Sequence, residues 1–288
     1  MKIGPLVENP NASHAMKRQL KSGTLAMVLV AASAALLAAH DLFIKMDAYH
    51  VPPGTAIRVP IINSTFFLSE NSITADRVAD VSVVVDGHRT ELGLDDWDAS
   101  GDSTFLGMRT GDPGTYVLGV STNPNDLGMS ADDFNLYLAS DGVVDVLKQR
   151  ALEGELDEEA WEQYSKHVKA IFQVGDRTSG GIDVVFGYPA ELVPLDNPYE
   201  ASVGDELSFL VLVDSKPVAG QLVIAGGDGG AGHHEIPERE ARSDLDGVVS
   251  FEIDHPGRWY LKFIHMVKTE AEDLDYESKW ATISFEVR

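Results

Sequence analysis

Apolar residues recur at every second position in short runs along most of the chain. Leu42, Ile44 and Met46 alternate with Phe43, Lys45 and Asp47, and Ala56 to Ile62 and Val81 to Val85 continue in the same way. Phe105 to Arg109 and Thr115 to Val120 follow. A period of two is that of a strand whose two sides meet different surroundings. Pro52-Pro53-Gly54, Asp86-Gly87 and Asp112-Pro113-Gly114 punctuate these runs as turns. Short strands so spaced predict a β-sandwich over residues 40–127.

A second β segment runs from about Ile182 to Arg288 and repeats the punctuation of the first. Val203-Gly204-Asp205-Glu206-Leu207 answers Pro53-Gly54-Thr55-Ala56-Ile57, and His255-Pro256-Gly257-Arg258-Trp259 answers Asp112-Pro113-Gly114-Thr115-Tyr116. Asp214-Ser215-Lys216 and Asp244-Leu245-Asp246-Gly247 read as hairpin turns. The expected fold is therefore mainly β, with two immunoglobulin-like β-sandwich domains at 40–127 and 182–288. The stretch between them, 128–181, reads as a short helical insertion. Ser130-Ala131-Asp132-Asp133 forms a capping box, Phe134, Tyr137 and Leu138 share one face, and Asp141-Gly142 ends the helix. A second helix is predicted from about Asp157, with Glu158 and Glu159 in its first turn and Trp161, Tyr164, Val168 and Ile171 as its buried stripe. The charged connection from Lys148 to Glu159 is expected to be exposed.

Residues 1–39 read as a leader and signal peptide. Met16-Lys17-Arg18 with Lys21 supplies a positive start, Leu25 to Leu37 is apolar or small throughout, and Ala38-Ala39 follows. A cut after Ala39 would leave His40 first, while cuts after Ala35 or Ala38 fit the small-residue rule as well. The chain would then start at Met1 or at Met16, and in either case the expected destination is the periplasm. The apolar run is shorter than the roughly 20 residues a membrane span needs, so no direct membrane insertion is expected once the signal is removed.

Charge narrows the partners. Four of the 22 basic residues and one of the 46 acidic residues precede His40, which leaves 18 against 45 and a formal charge of −27. Such a surface repels nucleic acid and anionic lipid. There is no cysteine, which removes disulfides, thiolate metal sites and cysteine nucleophiles together. The chain holds no Gly-x-Ser-x-Gly, His-Glu-x-x-His or EF-hand spacing, and Gly226 to Gly232 lacks the Lys-Ser/Thr of a phosphate loop. No catalytic motif is present, and no enzymatic activity is expected.

Histidine carries the remaining chemistry. A chain that begins at His40 has a free amine and an imidazole in one residue, which together close a chelate ring on a divalent transition metal such as Ni, Co, Cu or Zn. His265 lies at the end of the predicted strand Trp259 to Met266, and a hairpin returning through Asp275 and Glu277 brings a carboxylate to the same end. His167 sits beside the stripe of the second predicted helix and would complete a set of three histidines; on periodicity alone, helix-to-sheet packing is the favoured account of it. His233-His234-Glu235 follows a run of glycines, a poor place for a preorganised site.

Several of these stretches resemble one family. Ala39-His40-Asp41-Leu42-Phe43 is similar to the Ala-His-Asp/Glu-Phe-Trp opening of the DUF4198 family. So are Asp133-Phe134-Asn135-Leu136-Tyr137-Leu138, Tyr164-Ser165-Lys166-His167-Val168-Lys169, Gly187-Tyr188-Pro189-Ala190-Glu191-Leu192, Trp259-Tyr260-Leu261-Lys262-Phe263-Ile264-His265-Met266 and Glu277-Ser278-Lys279-Trp280. The departure is Leu42-Phe43-Ile44 where many members read Phe-Trp-Leu. The resemblance implies an exported β-sandwich protein of the kind described as a periplasmic component of nickel or cobalt uptake, with His40 as N-terminal ligand. The expectation is a periplasmic binding protein that hands a divalent metal to a membrane metal transporter, using His40, His265 and His167 with Glu277 nearby. Two other classes remain open: a copper-dependent oxidative enzyme built on the same N-terminal histidine, and a structural β-sandwich module without metal.

Overall fold

The alternating runs are strands, and most extend beyond the pattern that marks them. The structure is a computed structural model that describes residues 40–229 and 235–288. Residues 1–39, predicted as leader and signal peptide, and His233 and His234 lie outside the described residues. In chain order the strands of the first part are β1 (Asp41–Ile44), β2 (His50–Val51), β3 (Ala56–Thr65), β4 (Leu68–Ser69), β5 (Val78–Val85), β6 (His88–Glu91), β7 (Trp97–Ser100), β8 (Ser103–Arg109), β9 (Gly114–Thr122) and β10 (Asn125–Met129). Two helices follow, α1 (Ala131–Ser140) and α2 (Val144–Glu153), then β11 (Ala160–Val174) and β12 (Ala190–Pro194). The last part holds β13 (Glu206–Val213), β14 (Lys216–Pro217), β15 (Leu222–Asp228), β16 (Glu235–Arg242), β17 (Val248–Glu252), β18 (Gly257–Lys268) and β19 (Tyr276–Val287). With 53% of the described residues in strands and 9% in helix, the fold is mainly β, as the alternation predicts.

The turn chemistry places these strands. Asp86 and Gly87 both take positive φ, 49° and 75°, and close the tight hairpin in which Val85 faces His88. The two answering phrases, at Asp112-Pro113-Gly114 and His255-Pro256-Gly257, lead into β9 and β18. Both strands lie in one ten-stranded sheet, ordered β16-β15-β18-β19-β11-β9-β5-β6, with β2 and β10 also paired to β11. That sheet draws strands from all three segments that the sequence divides. Its centre is a parallel ladder of β11 with β19, from Glu162 opposite Tyr276 to Ala170 opposite Ser284.

A smaller sheet covers each side of the large one. The five-stranded sheet β1-β3-β8-β7, with β4 on β3, shares a core with Val81, Val83, Leu118, Val120, Val168, Ala170 and Phe172. The four-stranded sheet β12-β13-β14, with β17 on β13, shares the other core with Val84, Val117, Ile171, Leu261, Phe263, Ala281, Ile283 and Phe285. Adjacent residues such as Val83 and Val84, or Ala170 and Ile171, therefore serve different cores. Two sandwiches share their middle layer, and Lys169 of β11 ties that layer to the four-stranded sheet. Its Nζ lies 2.6 Å from Glu191 Oε2 and also donates to the carbonyl of Leu192, while Glu191 accepts from the main-chain N–H groups of Phe186 and Tyr188.

The helical insertion differs from expectation in its second half. Ser130 caps α1 by accepting from the N–H of Asp133, and Phe134, Tyr137 and Leu138 are buried, as predicted. The helix expected from Asp157 is instead the fifteen-residue strand β11. Val168 and Ile171 looked like one helical stripe, yet they belong to opposite cores of a strand buried on both sides. A strand in that setting loses its alternation, and β11 carries buried polar residues on both sides, Glu162 and Lys166 on one and His167, Lys169 and Gln173 on the other. The charged connection before it, Lys148 to Glu159, begins inside α2, which Gly154 terminates at φ 79°. Arg150 of α2 is buried there and donates to the carbonyls of Glu155 and Glu158.

Candidate functional site

The start of β1 is fixed from the side by the large sheet. β1 pairs with β3 along one edge, Asp41 opposite Ser64 and Ile44 opposite Ile61. Its other carbonyls are taken by side chains: Lys166 donates to His40, Thr282 to Leu42 at 2.7 Å, and Ser284 to Ile44. Side chains pointing to one face of a sheet recur every second residue, which matches the carbonyl spacing of a strand laid across them. His40 is thereby held to a single register.

The β3–β4 hairpin brings an acid to the same place. Thr65 pairs with Leu68 around Phe66-Phe67, so Glu70 returns beside Ser64, whose hydroxyl donates to its Oε2 at 3.0 Å. His40 Nε2 lies 3.0 Å from that oxygen. The approach is off the hydrogen-bonding direction, and Nε2 is enclosed with no partner of its own. Burial holds the imidazole pKa below its ordinary value, against the opposing pull of Glu70. The ring is neutral near pH 7 and has a lone pair to give.

Charge collects immediately behind it. Asp41 Oδ2 lies 2.5 Å from Lys262 Nζ, and Asp141, at the end of α1, lies 3.6 Å from the same nitrogen. Burial, and then the charge of Asp41, push the Asp141 carboxyl up to about 7. Lys166 is brought down to about 8 by burial; it makes hydrogen bonds to neutral acceptors, the His40 carbonyl and Asn63 Oδ1. Glu162, raised by burial, accepts from Ser278 and Tyr137, and Tyr137 stacks on Trp280 with ring centroids 5.7 Å apart. This cluster faces the five-stranded sheet.

The other histidines predicted as ligands face the opposite way. His167 alternates with Lys166 on β11 and is buried on the side of the four-stranded sheet, where Ser121 contacts Nδ1 at 2.9 Å and Ser165 contacts Nε2 at 3.0 Å. Both of its nitrogens are engaged, and burial lowers its pKa to about 3. His265 shares that side with Trp259, Leu261 and Phe263. Gln221 donates its amide N–H groups to the carbonyls of Leu222 and Ile264, so its oxygen must accept from His265 Nδ1, 3.0 Å away. The hairpin does return Glu277 near His265, since Lys279 stands opposite His265 and Glu277 opposite Val267. Glu277 is drawn instead to Lys279, at 3.4 Å. The sheet therefore separates His40 from His167, His265 and Glu277, and the four do not form one centre. Among the described residues no group of three or more His, Cys, Asp or Glu side chains is arranged to hold a metal.

Asp41, Tyr137, Lys166, Lys262 and Trp280 come from five of the stretches that carry the family likeness, and they meet behind His40. A protein-family model described as "Domain of unknown function (DUF4198)" matches residues 37–267. The chain belongs to the DUF4198 family. That description names no activity, and the match ends before β19. No curated protein matches the chain. Among solved structures, the D0-D1 domain of Intimin is similar at 11% identity, covering 86% of this chain and 98% of its own, with a TM-score of 0.20. A trypsin-activated alpha-2-macroglobulin from Escherichia coli is similar at 10% identity over 86% of this chain and 16% of its own, with a TM-score of 0.20. A DUF4785 family protein from Legionella pneumophila is similar at 13% identity over 76% of this chain and 50% of its own, with a TM-score of 0.23. Scores of that size establish neither a shared fold nor a shared role.

Proposed function

We propose that this DUF4198 protein is a periplasmic carrier that binds a divalent transition metal at His40, nickel or cobalt in the first instance, and hands it to a membrane transporter. The observation that carries the reading is the neutral, half-buried imidazole of His40, held to one register and set against Glu70 with its enclosed nitrogen unpartnered. If processing ends at Ala39, the freed amine and Nδ1 of His40 are the pair that closes a chelate ring. Nε2 then carries the ring proton, and a modest rotation turns it onto Glu70. A carboxylate on the outer nitrogen of a ligating imidazole fixes its tautomer and raises its basicity. Nitrogen donors select Ni, Co, Cu or Zn over Mg and Ca. The acidic surface adds an attraction for cations.

The test is mass spectrometry of the purified exported protein, native and denatured, with N-terminal sequencing of the same sample. A chain starting at His40 that retains one metal ion in the native spectrum is the expected result. His40→Ala should abolish retention, and Glu70→Gln should weaken metal affinity by about 10- to 100-fold. A start at any other residue, or retention unaffected by His40→Ala, overturns the reading. Bound copper with oxidation of an added reductant would replace the carrier by an oxidative enzyme.

A further inference from the structure

Away from His40, the outer end of β11 carries a second feature. Trp161 is 50% exposed, on a strand whose inner two-thirds is almost wholly buried. Its indole lies flat on Gly128 of β10: a Cβ at that glycine would sit 2.8 Å from the ring atoms Cε2 and Cζ2. Opposite the ring, the segment between β18 and β19 is tied down. The Trp161 N–H donates to Asp275 Oδ2 at 2.8 Å, the Asp275 N–H donates back to the Trp161 carbonyl at 2.8 Å, and Thr269 closes the turn onto the Asp275 carbonyl. Ring and segment form a groove of about 810 Å³.

All the ionisable side chains lining this groove are acidic: Asp126, Glu159, Glu272, Asp273 and Asp275. Asp275 is engaged by the Trp161 main chain and Asp126 by Gln163, while Glu159, Glu272 and Asp273 have no cationic partner among the described residues. An open indole face attracts a cation through the ring quadrupole, and carboxylates to either side neutralise further positive charges along an extended chain. A single aromatic wall on an open groove does not make the cage that a compact quaternary ammonium ion requires. We infer that the Trp161 groove docks an extended, Lys- or Arg-rich segment of a partner protein, one cationic side chain over the indole and its neighbours along the carboxylate rim. The surface is separate from the His40 site and stands whether or not that site binds metal.

The test uses the purified protein and an acetylated peptide of alternating Lys and Gly, with a Glu-for-Lys peptide as control, followed by calorimetry at two salt concentrations. The basic peptide should bind and the acidic one should not. Trp161→Ala should weaken binding on the order of tenfold, and Trp161→Phe should restore most of it. Glu272→Gln with Asp273→Asn should weaken binding and flatten its salt dependence. Glu91→Gln, on the exposed edge strand β6, should leave it unchanged. Equal binding by the wild type and Trp161→Ala would show attraction to the general acidity of the surface only and overturn the proposal, as would no binding at low salt.

Discussion

Lys166 and Lys169 stand three residues apart on β11, and the sheet sends them into different worlds. Lys169 faces the four-stranded sheet, and every partner it needs is present: a carboxylate that is itself saturated by two main-chain N–H groups, and a carbonyl. Lys166 faces β1 and has only neutral acceptors, while Asp41, Asp141 and Glu162 gather around it without pairing to it. The first arrangement is a finished clamp between layers. Burial lowers the pKa of both amines, and only the second has no carboxylate in hydrogen-bonding contact. Two lysines with the same burial thus have different partners, which burial alone does not distinguish.

The sharpest way to break this comparison is to remove each amine in turn. Lys169→Met strands the Glu191 carboxylate in a dry core and should cost about 3–5 kcal/mol in denaturant unfolding. Lys166→Met leaves two neutral acceptors unpaired and should cost about 1–3 kcal/mol. Equal losses would erase the distinction. Next in size is the pH dependence. The folded pKa of Asp141 is raised from 3.8 to about 7, so the folded chain holds a proton that the unfolded chain has lost. The Asp141 contribution to stability should therefore fall as pH rises from about 4 to about 7, against the opposite contribution of His167, whose pKa burial lowers to about 3, and Asp141→Asn should make stability rise more steeply with pH over that interval. Thermal unfolding across that interval checks it; a slope unchanged in the variant would place the shift elsewhere. The smallest effect is expected at Thr282→Val, which leaves the Leu42 carbonyl without its donor and should cost about 1–2 kcal/mol in denaturant unfolding.

How much of this was legible in the sequence depends on which side of a strand met water. β3 and β8 alternate because one side is exposed or half-exposed in part, and their turns carry Gly, Pro or Asp. The α1 cap is a local contact, and local contacts can be read from neighbours. β11 escapes the pattern because both of its sides are buried and polar residues such as Lys166, His167 and Lys169 fall on either side, so no period of two marks it. Glu70 was missed for a different reason. Its hairpin turns on Phe66-Phe67, without the Gly or Asn that announces a tight turn, and its alignment with His40 depends on a β1–β3 register that no local pattern encodes. His167 and His265 offer themselves as ligands by residue type alone, and no sequence pattern reveals that serines and a glutamine already occupy them.

The side-chain ladder under β1 has a practical consequence. Lys166, Thr282 and Ser284 grip main-chain carbonyls, which every residue possesses, so the strand docks identically whatever precedes it. A recombinant version beginning with an initiator methionine ahead of His40 would fold, melt and crystallise like the native protein. If processing ends at Ala39, as proposed, it would nonetheless carry an amide where the processed end carries an amine. Fold-based quality control is blind to that change, and a preparation could pass every structural assay while lacking the donor atom that the proposed metal site requires.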